Sequence, residues 1–335
     1  MPGLTVTMVL FCSSNYLEGI PAAAREFFLR RSEYMSTVPP QKQEPSETDP
    51  DFSLWSHVRE SLMVLPAHFA SETNIEGLRA TDIHTLNTAL GATIEEQVVA
   101  SLNRMRNVWD PDNRYPLYSF VRQTQTFPDV LFARRDPDQP RAMDIKLGIE
   151  LKGWYVLAKE GEPSFRYQVT PAACGPLDMI VVVPWYLSNI LAGTPKVGTP
   201  YIESARYAAE YRNYWWTTMR SSKSKTGINS PKNVGPYPKK SDQISDKPVS
   251  DSGGNFGRYA RTGIMDDYIK FIDDEQIRGI PTHYWRTFFK MFQEKEDTTQ
   301  IEAALKRLET AARETQSNPD LAIDLGQLVR LLSSE

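Results

Sequence analysis

The sequence predicts an α/β protein: a central mixed β-sheet flanked by helices, with helical appendages at both ends. Three observations predict it. Ile94, Val98, Val99, Leu102 and Met105 form one apolar stripe at helical spacing. Residues 143–155 alternate in the period of a strand, with Ile145, Leu147, Ile149 and Leu151 on one face and Asp144, Lys146, Gly148, Glu150 and Lys152 on the other. Met179 to Val183 is an unbroken apolar run, as expected of a strand covered on both faces.

In chain order, residues 20–34 place Ile20, Ala23, Ala24, Phe27 and Phe28 at helical spacing. Residues 37–51 are polar with four prolines, a linker or surface loop. Residues 53–72 predict a second helix. Thr81 or Asp82 can cap a helix toward Ala89; Gly91 is expected to interrupt it, and Thr93 to cap the next. Glu95 and Glu96 would then lie in a first turn, where the helix dipole favours carboxylates. That helix should end near Trp109–Asp110–Pro111. Strands are expected over Leu117–Val121 and Phe127–Arg134, a turn over 135–142, and the long strand over Met143–Tyr155. Thr170–Pro171 has the form of a helix start. Glu203–Met219 predicts a helix whose stripe of Tyr207, Tyr211, Tyr214 and Trp215 is expected to be core. Helices over Ile301–Ala312 and Leu321–Leu332, parted near Asn318–Pro319, end the chain. The expected organisation is a helical region with a proline-rich linker (1–78), a core (79–220), a basic Ser/Gly/Pro/Lys-rich segment (221–262) and a helical region (263–335).

Of 335 residues, 40% are hydrophobic and 24% charged, in the range of a soluble globular chain. No apolar run approaches the ~20 residues of a membrane span. The apolar stretch near Met1 has no basic residues before it, so no secretory signal is expected and the expected location is cytoplasmic. Cys12 and Cys174 are too few for a disulfide framework or a zinc site, and predict buried thiols. From Arg212 to Thr262, ten Lys or Arg stand against three Asp, a local +7 in a chain of net −4. Such a segment can bind a polyanion or be a solvated loop. There is no H-E-x-x-H, P-loop or paired H-x-K motif, which argues against zinc hydrolases, nucleotide-driven motors and phospholipase-D-type nucleases.

The candidate chemistry lies in the central hairpin. With the turn centred between Gln139 and Pro140, Asp129 falls opposite Glu150, and two carboxylates converge with Lys152 as their cation. Such a pair is costly unless a positive charge sits between them. Mg2+ suits the oxygen donors of Asp129, Glu150 and the Leu151 carbonyl, and Mn2+ can substitute. Lys152 can orient a water or stabilise charge on a phosphate. A second register puts Asp129 opposite Asp144 in Asp144-Ile145-Lys146, but it places Pro140 inside a strand, which the ladder resists.

Pro128–Asp129 followed by Glu150–Leu151–Lys152 resembles the PD-(D/E)xK nuclease superfamily, whose best-known members are type II restriction endonucleases. Gly91, Ile94, Glu95 and Val98 match the family's helix that carries a site-facing glutamate, and the resemblance covers roughly residues 80–220. It implies a restriction-endonuclease-like core and a magnesium-dependent endodeoxyribonuclease that cuts double-stranded DNA at specific sites as a homodimer. Asp129, Glu150, Lys152 and Glu95 are then the expected catalytic residues, and a cognate DNA methyltransferase the expected genomic partner. Lys223, Lys225, Lys239, Lys240, Gln123 and Gln125 are the candidate DNA contacts, in a basic segment expected to be disordered without DNA. Two alternatives stay open: a repair, recombination or other defence nuclease of the same fold, and a DNA-binding protein that keeps the fold without cleavage.

Overall fold

The computed structural model describes residues 38–42, 44–123, 126–135, 143–220, 226–251, 253, 255–294 and 298–314. The helices expected over 20–34 and 321–332 lie outside them, as do Cys12, Gln125, Lys223 and Lys225.

The molecule is α/β, with a mixed sheet between helices. Strands β1 (Ser119–Arg122), β2 (Val130–Arg135) and β3 (Met143–Tyr155) form an antiparallel meander. Strand β4 (Met179–Leu187) runs parallel to the second half of β3. Its other edge is shared by β5 (Pro195–Val197) and β6 (Tyr201–Ser204), both antiparallel to it. Ile180 to Val183 is buried throughout, because neighbours cover β4 on both faces and both edges. A parallel step needs a crossover of a dozen or more residues. Here the crossover is mostly irregular; Thr170–Pro171 starts only a 3-10 turn, Pro171–Ala173, not a longer helix.

Helix α1 (Phe52–Met63) and the short α2 (Leu65–His68) precede the main helix α3 (Leu86–Arg104), with α4 (Arg106–Trp109) behind it. Helix α3 packs across β1 and β3. Its stripe of Ile94, Val98, Val99, Leu102 and Met105 is buried as the spacing predicts. The expected break at Gly91 and cap at Thr93 are absent, since α3 passes through both. An interior glycine costs only about 1 kcal/mol against alanine, less than burial of a single large aliphatic side chain of the stripe returns.

Helix α5 (Ala205–Tyr214) continues as a π-turn, Trp215–Met219. Its sheet-facing side is Ala205, Ala208, Ala209 and Arg212, whereas Tyr207, Tyr211, Tyr214 and Trp215 are half-exposed. The aromatic stripe is therefore not the core face: small residues let the helix approach closely. Helices α6 (Asp266–Asp274), α7 (Thr282–Glu294) and α8 (Thr298–Glu314) close the described chain. One hydrophobic cluster runs from Leu54 to Leu308. Among the described residues no helix is long and apolar enough to cross a membrane. Cys174 is a buried free thiol, pushed up to about 12 by burial.

The hairpin settles the register. Val130 pairs with Ile149 and Phe132 with Leu147, which sets Asp129 opposite Glu150. Asp144 pairs with Arg134 instead. Between Phe132 and Ala133 the register shifts, because Lys146 is an extra residue on β3. Beyond this bulge the alternation inverts. Asp144 is thus not on the face of Glu150, as period-two counting expects, but on that of Phe132 and Leu147. There it accepts a hydrogen bond from the Tyr118 hydroxyl and pairs with Arg134 at 3.4 Å.

Candidate functional site at the open edge of strand β3

Strand β2 begins at Val130, opposite Ile149, while β3 continues to Tyr155. The chain before β2 turns at the cis Phe127–Pro128 bond. Among the described residues no strand pairs with β3 on that side from Leu151 onward, and the Asp129 Oδ2 accepts the Leu151 N–H at 3.0 Å. In an extended strand the N–H and C=O of one residue point to the same side, so the Leu151 carbonyl is directed toward this edge too.

Lys152 Nζ lies 2.9 Å from Asp129 Oδ2 and 3.0 Å from Glu150 Oε1. One ammonium thus bridges both carboxylates. The side chains of Lys152 and Asp129 keep 23% and 26% of their exposure, against 11% for Glu150. Burial pushes the Glu150 carboxyl up to about 7; Lys152 opposes this and Asp129 adds to it. Burial alone would lower Lys152, but Glu150 and Asp129 overcome it and hold the ammonium above its ordinary value. The cluster therefore contains a permanent cation and a carboxyl that titrates near neutrality, the kind of perturbation that marks functional sites.

Glu95 approaches from α3. It pairs with Arg122 at 3.4 Å. Burial raises its pKa, Lys152 and the Gly153 N–H lower it, and Asp129 raises it further. It thus belongs to the electrostatics of the cluster without a direct bond to the other carboxylates among the described contacts. Gln123 is held by the turn itself: its Nε2 donates to the Pro128 carbonyl at 2.9 Å and its N–H to the Asp129 carbonyl at 2.7 Å. Both bonds tie Gln123 to the turn that carries Asp129. Gln168 donates to the Phe256 carbonyl at 3.4 Å.

The donor chemistry fits a hard divalent cation. Asp129 and Glu150 supply carboxylate oxygens on one face, and the Leu151 carbonyl is directed to the same edge. Among the described residues no three His, Cys, Asp or Glu side chains form a ready-made metal cage. Magnesium, which keeps several waters and needs only one or two carboxylates, is the ion such a sparse set suits.

Sequence reasoning missed Asp178. It is buried and accepts the Gly148 N–H at 2.7 Å, the Gly175 N–H at 2.6 Å and the Tyr237 hydroxyl at 3.1 Å. The one available signal was its place immediately before the apolar run of β4. The described part of the basic segment makes contacts with the core. Arg212, fully buried, binds the Tyr167 and Val169 carbonyls at 2.8 and 3.0 Å and pairs with buried Asp246. Strands β7 (Ile228–Asn229) and β8 (Lys247–Pro248) pair within it. Lys239 and Lys240 are exposed. A cleft of about 310 Å³ lined by Glu44, Pro176, Arg206, Tyr207 and Glu210 contains none of the Asp129 cluster. Comparison with protein-family models, curated proteins and solved structures gives no match to this chain.

Proposed function

We propose that this chain is a magnesium-dependent endonuclease that hydrolyses DNA phosphodiester bonds on a restriction-endonuclease-like core. The observation that carries the reading is Lys152 bridging Asp129 and Glu150 at the open edge of β3. An antiparallel meander followed by a parallel strand supports it.

Each residue has a task. The Leu151 N–H and Gln123 fix the carboxylate and backbone of Asp129. Lys152 stays charged and can meet the phosphate oxygens on which charge develops. Glu150, Asp129 and the Leu151 carbonyl would hold the Mg2+, which would supply the activated water. Bound Mg2+ would neutralise Asp129 and Glu150 and stabilise charge on the phosphate. The substrate is double-stranded DNA, cut at specific sites. Large elements outside the hairpin favour sequence recognition, because contacts to phosphates carry no direct sequence information.

The test is incubation of purified protein with phage DNA, with and without Mg2+. Discrete fragments appearing only with Mg2+ are expected. A smear would instead mean an unspecific nuclease. Intact DNA under every condition would leave a binding protein and overturn the proposal.

A further inference from the structure

Tyr237 lies between Pro236 and Pro238 with φ of 54°, a left-handed backbone that a bulky residue rarely adopts. Such a conformation persists where surrounding contacts hold it. The contact here is its hydroxyl, which donates to Asp178 Oδ1 at 3.1 Å. The same oxygen accepts the Gly148 N–H at 2.7 Å. Gly148 precedes Glu150 by two residues, beyond the bulge, and so lies on the same face of β3. A Cβ on Gly148 would point at Pro128 and at Asp178 Oδ1, so Asp178 and the residue that precedes Asp129 flank one glycine on that face. Asp246, bonded to Arg212, anchors the segment a second time nine residues later. Between the two anchors stand Lys239 and Lys240, both exposed, with the Lys239 N–H turned onto Asp242 at 2.8 Å.

We propose that Tyr237 and Asp178 are positioning residues: they latch the basic segment over the face of β3 that carries Glu150, so that Lys239 and Lys240 grip phosphates flanking the cleaved bond. The inference rests on the nuclease reading for its substrate. Tyr237 is two residues from Lys239, at most about 7 Å of extended chain, so fixing the phenol fixes both lysines. A salt-independent anchor also spares the segment the ordering cost that a flexible loop meets on binding.

The experiment compares wild type, Tyr237→Phe, the Lys239→Ala/Lys240→Ala pair and the triple variant. Binding to a short mixed-sequence duplex is measured between 50 and 200 mM salt, with Ca2+ in place of Mg2+, and cleavage is measured separately with Mg2+. Two lost phosphate contacts lower the slope by about 1.8 and shrink the affinity loss over that range by about tenfold. Tyr237→Phe should approach the lysine pair, and the triple variant should add little to either, the non-additivity of one unit. In hydrogen exchange, Tyr237→Phe should speed residues 226–251, and in cleavage it should raise KM more than it lowers kcat. An unchanged slope beside faster exchange, or fully additive effects, would overturn the latch. Wild type that binds duplex without cutting it would sink the nuclease reading alone; wild type that binds no duplex would sink both.

Discussion

Glu150 is where the stability and the chemistry of this molecule oppose each other. Its carboxyl moves from 4.5 to about 7 because burial penalises the charged form. The folded pKa lies above the unfolded one, so its contribution to stability is complete below about 4.5 and is lost as pH rises through about 7. Glu150→Gln should therefore be more stable relative to wild type at pH 8 than at pH 4. Denaturant melts at both values check this, and a variant less stable at pH 8 would identify the cluster as a structural ion pair. Cleavage should be lost in Asp129→Ala, Glu150→Ala and Lys152→Ala, with DNA binding retained. Asp144→Ala should still cut, because Asp144 lies on the other face, bonded to Tyr118 and Arg134. The convergence of Asp129, Glu150 and Lys152 was legible because β3 keeps period two from Leu147 onward. The place of Asp144 was not: a bulge has no signature in hydrophobic alternation, and the inserted Lys146 is indistinguishable from a paired residue.

At the scale of elements, two glycines make opposite demands. An added Cβ at Gly148 would lie 2.3 Å from Pro128 Cγ and 3.0 Å from Asp178 Oδ1. Gly148→Ala must shift the turn that carries Asp129 or the aspartate that carries Tyr237. It should cost about 1–3 kcal/mol and reduce cleavage more than a stability loss of that size explains. At Gly91 a Cβ would meet nothing within 4 Å, inside an uninterrupted helix. Gly91→Ala should stabilise by about 0.5–1 kcal/mol. Thermal unfolding of the pair checks both signs, and equal effects would mean that Gly148 has no positioning part. Strand β3 and the stripe of α3 were readable because each keeps one period over its length. The boundary at Gly91 was misread because tertiary packing outweighs a single weak helix former. The hairpin of β9 (Gln276–Ile277) and β10 (Ile280–Pro281), two residues per strand, is too short for any periodicity.

At the scale of the whole molecule, the proposed nuclease raises the question of how one catalytic set would cut two strands. Each chain offers a single Asp129–Glu150–Lys152 cluster, so simultaneous cleavage of a near-symmetric site calls for two chains related by a two-fold axis. The sequence offers two apolar stripes as an interface: Ile301, Ala304, Leu305, Leu308 and Ala312, and Leu321, Leu325, Leu328 and Leu332. The second lies outside the described residues. In the first, Ala304 and Leu308 are buried within the chain's own core and Ile301 and Leu305 pack against it. Helix α8 is thus used internally, and a dimer must assemble through another surface. Truncation after residue 296 should expose that core and lower stability, by about 2–5 kcal/mol for loss of Leu308 alone, rather than yield a stable monomer. Sedimentation of the free and DNA-bound protein should show two chains per duplex when DNA is bound. A single chain per duplex that severs both strands in one encounter would exclude the two-fold arrangement, and with it the claim that each chain cuts one strand.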